Sequence, residues 1–160
     1  MINKILTPRK FIVKQFKDQR GVLFELNRLP GNKFKNEILT FSKKNVLRGI
    51  HYKKNYKNKL VIVLKGKILD FCIQLKRKLP IKIFKFNLKK GEGLFIPKGF
   101  AHGYLCKGNE NIILYKLSTR YNKKLEKGII WNDETLKLNW KIKKPILSKR
   151  DKKFKKLLIR

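Results

Sequence analysis

The sequence predicts an all-β domain of the sandwich or barrel kind, such as a jelly roll. Three observations predict it. Apolar residues either alternate with polar ones at period two or gather in short runs, and a 3.6-residue period is hard to find. The runs are rich in Val, Ile and Phe, which suit a pleated surface. Turn residues punctuate the chain every roughly 8 to 12 residues, the spacing of sandwiches and barrels. With 160 residues, 42% of them hydrophobic, the chain has material for one packed core. It reads as a single domain, 1–160, with 1–10 and 152–160 as peripheral termini.

The elements follow in order. Phe11 to Phe16, Leu23 to Leu26, Glu37 to Phe41 and Val46 to His51 can each be extended. Leu60-Val61-Ile62-Val63-Leu64, then Lys65-Gly66-Lys67, then Ile68 to Leu75 read as strand, tight glycine turn and strand. Ile81 to Leu88 mostly alternates and ends at Lys89-Lys90-Gly91. Gly93-Leu94-Phe95-Ile96-Pro97 is a short strand stopped by proline. Ala101 to Cys106 and Ile112 to Ser118 add two more, joined by the turn-prone Lys107-Gly108-Asn109-Glu110. Beyond about residue 120 the pattern is irregular, with Trp131-Asn132-Asp133 and Trp140 as packing anchors and a short helix expected from about Lys149.

Composition excludes several function classes. No apolar run reaches the roughly 18 residues of a membrane span, and the start is too short and too weakly apolar for a secretory signal. Two cysteines, Cys72 and Cys106, make neither a disulfide framework nor a multi-cysteine metal site. A cytoplasmic setting is expected. The net charge of +33 suggests polyanions, but only eight of the 43 basic residues are Arg. The Lys are scattered between apolar residues, whereas base reading and bidentate phosphate contacts prefer Arg. No specific nucleic-acid partner is expected. The densest basic run, Lys149 to Lys156, is expected to be a solvated terminal segment. The field still favours an anionic small molecule.

Chemistry centres on the two histidines, His51 and His102. His51 closes Leu47-Arg48-Gly49-Ile50-His51, where the glycine is expected to let backbone approach a ligand. His102 closes Gly91-x5-Pro97-x-Gly99-x2-His102, a spacing that resembles the second motif of the cupin jelly rolls. Metal-binding cupins place a His-x-His pair and a Glu in the first motif; here a single His is followed by Tyr52 and Lys53. Two imidazoles without a nearby carboxylate make a poor metal site, so neither metal nor cofactor is expected.

A wider set of blocks resembles one family. Asp18-Gln19-Arg20-Gly21 with Glu25, Val46 to Tyr52, Lys59-Leu60-Val61 with Gly66 and Asp70, and Ile96 to Gly103 come first. Tyr115-Lys116, Glu126 with Trp131-Asn132-Asp133, and Leu147-Ser148-Lys149-Arg150-Asp151 follow. Together, collinear from about residue 11 to 155, they resemble the dTDP-4-dehydrorhamnose 3,5-epimerases, homodimeric jelly rolls that act on nucleotide-linked 4-keto-6-deoxy sugars. The resemblance implies a nucleotide-sugar substrate, most simply dTDP-linked, a homodimer and no membrane partner.

It also implies roles. A hydrogen beside a C4 ketone is acidic because its anion delocalises as an enolate; inversion needs a base on one face, an acid on the other and a donor at the oxygen. By resemblance His51 is the base, and Asp151 the carboxylate that orients that imidazole and strengthens it. Tyr115 is the acid, Lys59 the cation at the enolate, and Asp70 a polar residue of the same pocket. Arg48 and Arg20 match diphosphate positions, and Glu25 a nucleotide-base position that, with Arg20, reaches the partner subunit's site. His102 lines the same cavity. The chain departs from the family's usual residues at Ile38, Thr40, Lys53, Gln74, Lys76 and Arg120, while Tyr121 is retained. Two other readings compete. One is a sugar-nucleotide 3,4-ketoisomerase on the same scaffold, whose usual His-x-His Tyr52 and Lys53 do not supply. The other is a non-catalytic basic cupin that binds polyanions.

Overall fold

Strands with unbroken apolar runs lie inside the sheets, and strands that alternate lie at their edges. The computed structural model describes residues 7–26, 29–30, 34–53, 58–75, 80–120 and 126–157. In it β6 (Asn58–Lys65), β7 (Lys67–Gln74) and β10 (Phe100–Cys106) are buried almost throughout, while β4 (Asn36–Lys43) and β8 (Ile83–Lys89) alternate. The other strands are β1 (Arg9–Ile12), β2 (Lys14–Asp18), β3 (Gly21–Glu25), β5 (Leu47–Tyr52), β9 (Glu92–Pro97), β11 (Glu110–Leu117) and β12 (Lys127–Gly128). They form two five-stranded sheets, β1-β9-β6-β11-β4 and β12-β5-β10-β7-β8, and a separate β2–β3 hairpin. Apart from the β7–β8 hairpin, consecutive strands from β4 to β11 thus cross between the sheets, in the order of a jelly roll, as the sequence predicts.

Three apolar layers account for the double burial. Val61, Val63, Leu94 and Ile113 of the first sheet meet Ile68, Cys72, Leu88 and Tyr104 of the second between the sheets. Leu60, Ile62 and Phe95 face the other way and are covered by Val13, Phe24 and Leu26. Leu69, Phe71, Ile73 and Leu105 on the outside of the second sheet are covered by Ile129, Leu136 and Trp140. A strand covered on both faces has no polar side to show, so its sequence reads as a run rather than an alternation. The tryptophan anchors behave as expected: Trp140 is buried edge-on to Phe71 at 4.8 Å, and its indole N–H donates to the Trp131 carbonyl at 2.8 Å.

Two expectations need correction. The extended stretch Phe11 to Phe16 is two strands, because buried Val13 turns its N–H to the Gly91 carbonyl (2.9 Å) while β1 pairs with β9 and β2 with β3. The helix expected from Lys149 is a single 3-10 turn, Asp151–Lys153. The basic run keeps its lysines in solvent as expected, with Lys149, Lys152, Lys153, Lys155 and Lys156 all exposed. It is also tied down: Asp151 is buried, Arg150 is ion-paired to Glu126, and the Leu157 N–H donates to Asp133 Oδ2 at 2.6 Å. A parallel bridge also joins Ile129 to Lys155. The described C-terminal stretch is thus bonded to the body as far as Leu157, and Arg9 and Lys10 pair with β9.

Candidate active site

A cavity of about 780 Å³ opens between the sheets. Period-two geometry decides what faces it. On β10, His102 and Tyr104 share the inner face, as do Asp70 and Cys72 opposite them on β7. Lys59 of β6 and Tyr115 of β11 face them from the other sheet. β5 carries an irregularity that matters here. His51 pairs with His102 and Arg48 with Tyr104, so three steps on β5 oppose two on β10. An extra residue in one strand resets which side chains point inward, and it lets Arg48 and His51, of opposite parity, both line the cavity. Gly49 sits in this bulge at φ +124°, where a Cβ would lie 2.5 Å from Gly103 Cα. At Gly49 the close approach is to the backbone of the neighbouring strand, at Gly103.

Two histidine–carboxylate pairs result. His51 Nε2 lies 2.8 Å from Asp151 Oδ1, although the two residues are 100 positions apart. The 3-10 turn places the carboxylate, and the Asp151 N–H donates to Ser148 Oγ at 3.0 Å. The Phe154 ring meets the His51 ring edge-on at 5.6 Å. Deeper in, His102 Nδ1 lies 3.2 Å from Asp70 Oδ2, and its Nε2 lies 3.0 Å from Lys59 Nζ. Burial pushes the Asp70 carboxyl well above the usual carboxylate range. It pulls His102 well below the ordinary imidazole value, helped by the Lys59 charge. It also pulls Lys59 down, an effect opposed by Glu126 and Asp70.

Tyr115 faces these groups from the opposite sheet. Its hydroxyl donates to Tyr104 Oη at 2.8 Å, and Lys59 Nζ stands 6.0 Å from its ring centre. Burial holds Tyr115 well above the ordinary phenol value, and the buried Tyr104 is pushed up to about 12. Both stay protonated across the neutral range. Arg48 donates twice to Ser42 Oγ at 3.1 Å on the cavity wall. With Lys59, Lys149 and Arg150 against Glu126 and Asp151, the lining carries an excess of cations that suits an anionic ligand. Among the described residues no group of three His, Cys, Asp or Glu is placed to share a metal ion.

The sequence model of the dTDP-4-dehydrorhamnose 3,5-epimerase family matches residues 5–158. The chain belongs to that family. It is 32% identical over 155 residues to the dTDP-4-dehydrorhamnose 3,5-epimerase of Shigella flexneri, covering 88% of this chain and 86% of the relative. To that of Salmonella typhimurium it is 33% identical over 156 residues, covering 86% and 84%. Among solved structures it is similar to the Bacillus anthracis epimerase with TDP and pyrophosphate bound: TM-score 0.84, 28% identity, 94% of each chain covered. A Legionella pneumophila epimerase in complex with dTDP-4-keto-L-rhamnose gives a TM-score of 0.83 at 26% identity, covering 93% of this chain and 87% of the other.

Against that family frame, the cavity gathers His51, Asp151, Tyr115, Lys59, His102 and Arg48 on its walls, with Asp70 directly behind His102. It does not gather Arg20 and Glu25. Arg20 caps the exposed β2–β3 turn, paired with Asp18 at 2.6 Å, and Glu25 is paired with Lys14 at 3.1 Å. Ile38 and Thr40, two of the family departures, line the wall, and Lys53 Nζ donates to the Arg120 carbonyl at 3.3 Å, so two others touch each other. Gln74 closes β7 with its Oε1 buried. Lys76 and Tyr121 lie outside the described residues. Three positions not singled out beforehand matter to the geometry: Glu126 and Arg150, which lie inside two of the family blocks, and Tyr104, two residues past His102 on the same strand face.

Proposed function

We propose that this chain epimerises a nucleotide-linked 4-keto-6-deoxy sugar of the dTDP-4-dehydrorhamnose kind. The observation that carries this reading is His51 on one sheet, paired with Asp151 of the 3-10 turn, facing Tyr115 and Lys59 on the other sheet across one cavity. Asp151 occupies Nε2 and leaves Nδ1 as the nitrogen for the substrate. His51 takes the hydrogen beside the C4 ketone as a proton. The C–H electron pair becomes the enolate double bond, and the negative charge that grows on the C4 oxygen meets the Lys59 ammonium. Tyr115, still protonated, returns a proton from the opposite face. Arg48 and the cationic rim hold the diphosphate. The neighbours that carry TDP with pyrophosphate, or dTDP-4-keto-L-rhamnose, support a dTDP-linked substrate. The site asks for no cofactor or metal in this chemistry, and two free, buried cysteines suit a reducing cytoplasm.

Wild-type protein should wash deuterium from D2O into C3 or C5 of dTDP-4-keto-6-deoxyglucose. His51→Ala should abolish the wash-in, and Tyr115→Phe should keep it while losing inverted product. Folded wild type that exchanges nothing on a panel of such sugars would remove the reading. A product whose ketone has migrated would instead make it an isomerase.

The same reading includes a homodimer. Arg20 and Glu25 sit outside their own chain's cavity, on a hairpin whose cross-strand pair Phe16 and Leu23 is more than half exposed. Leu39 and Phe41 on edge strand β4 are exposed as well. A second copy would bury these surfaces and receive the hairpin. Mixing inactive Arg20→Ala and His51→Ala proteins should then restore activity to roughly a quarter of wild type, since random pairing leaves one intact site in half of the dimers. No recovery on mixing would place Arg20 outside the site.

A further inference from the structure

Lys59 is buried in the floor of the cavity, and its ammonium is a donor only, with three N–H groups and no lone pair. When Lys59 is charged, His102 Nε2 at 3.0 Å must accept, which puts the imidazole proton on Nδ1. That Nδ1–H then points at Asp70 Oδ2, 3.2 Å away. The other carboxylate oxygen accepts from the Cys72 thiol at 3.6 Å. Every donor in the chain runs one way, from Lys59 through His102 to Asp70. The register explains why: Cys72 lies directly opposite His102 and Asp70 lies diagonally, on the same inner face of β7.

We infer that His102 and Asp70 are positioning residues that keep Lys59 charged and aimed at the substrate's oxygen, with His102 held as the neutral Nδ1–H tautomer. The inference rests on the proposed epimerase reading for what Lys59 does, and on the hydrogen-bond geometry for how it is held. Without the bridge, burial favours an uncharged amine, which offers the growing oxyanion far less. Among the described residues, the groups that face Lys59 include His102 on β10, Asp70 and Cys72 on β7, Tyr115 on β11, His51 on β5, and Glu126 ahead of β12. Of the two carboxylates that favour its cation, Glu126 is shared with Arg150. Asp70 is the one joined to Lys59 by a continuous hydrogen-bonded path.

Two measurements test this. Nitrogen NMR of the histidines in ligand-free wild type should show His102 as the neutral Nδ1–H form from about pH 6 to 9, with the preference lost in Lys59→Met. An Nε2–H tautomer in wild type overturns the inference whether or not the protein proves to be an epimerase. Kinetics then compare His102→Gln with His102→Leu. The amide keeps an acceptor for Lys59 and a donor for Asp70; leucine keeps neither. Gln should retain exchange within ~10-fold of wild type, while Leu should lose ~10²-fold in kcat with KM within about 3-fold. The alkaline fall in rate should move to lower pH with Leu alone. Equal losses in the two folded variants, or a loss confined to KM, would overturn the bridge. If wild type shows no exchange but the tautomer is as stated, the substrate assignment fails and the bridge stands.

Discussion

The two histidines are neighbours in one sheet, with His51 directly opposite His102, yet the carboxylate pairs they form are built from different materials. Asp70 comes from the adjacent strand and is fully enclosed; the His102 side chain is 5% exposed. Asp151 comes from a tail 100 residues away, and His51 remains 20% exposed at the cavity wall. The difference teaches what each pair can do. A base has to give its proton away again between turnovers, so it needs a path to substrate and water. A pair sealed among strands cannot change its net charge cheaply, and so it is suited to holding a charge in place. One constellation of residue types thus serves two tasks, divided by burial.

The largest effects should fall on the outer pair. His51→Ala should lower deuterium wash-in by ~10³-fold or more, since a positioned general base contributes up to about 10⁴. Asp151→Asn should lower it by ~10²-fold with KM little changed, because the amide still occupies His51 Nε2 but no longer supports a positive imidazole. The comparison would break if Asp151→Asn were harmless, for then the inner pair would have to supply the base. Wash-in rates in D2O, followed by proton NMR, give both numbers.

The inner and outer regions were unequally legible in the sequence. Runs such as Leu60 to Leu64 announce strands covered on both faces, and the glycine and proline punctuation marks where they turn. The break at Val13 was hidden, because it depends on which remote strand each half joins. The bulge at Gly49 was hidden for the same reason: it exists only against Gly103, and register is a property of two strands. Period two put His102 beside Tyr104, but nothing local links His51 to Asp151. That link was legible only through the family blocks. The tail's lysines are solvated as composition suggests, but composition averages over the residues that tie the segment down, Arg150, Asp151 and Phe154 among them. Arg20 and Glu25 have no place in a one-chain cavity, so their assignment depends on a surface that a single chain leaves uncovered.

A pH profile separates the groups on the facing sheet. Lys59 is held below the ordinary lysine value of 10.5, chiefly by burial, so its cation is present at low pH and lost as pH rises through that lowered value. Tyr115 is held well above the ordinary 10.0, so its proton is still present there. The wash-in rate should therefore fall on the alkaline side, by roughly 10-fold per pH unit once Lys59 is discharged. The fall should sit in the same place in Tyr115→Phe and vanish in a slow Lys59→Met variant. A limb that disappears with the tyrosine would reverse the two assignments.

The smallest effect tests how the borrowed carboxylate is held. A three-residue 3-10 turn has few bonds of its own: Lys153 N–H to the Arg150 carbonyl at 3.0 Å and Lys152 N–H to that of Ser148 at 3.2 Å. Arg150 supplies the anchor. Its guanidinium donates to Glu126 Oε2 at 3.1 Å and to the Glu126 carbonyl, and it stacks 5.3 Å from the Phe154 ring that abuts His51. The Glu126 side chain is 7% exposed, so removing its partner leaves a carboxylate both enclosed and unpaired. Arg150→Met should then lower kcat by ~10-fold through a misplaced Asp151, at a cost of about 2 kcal/mol in stability. Arg150→Lys, which keeps the charge but not the fork, should recover most of the stability and less of the rate. The inner pair has no such dependence, so the His102 tautomer should be the same in both variants. If Arg150→Met were as fast as wild type, the tail would be set by its two later ties, the Ile129–Lys155 bridge and the Leu157 bond to Asp133, which lie downstream of Asp151 and hold the turn from its far side.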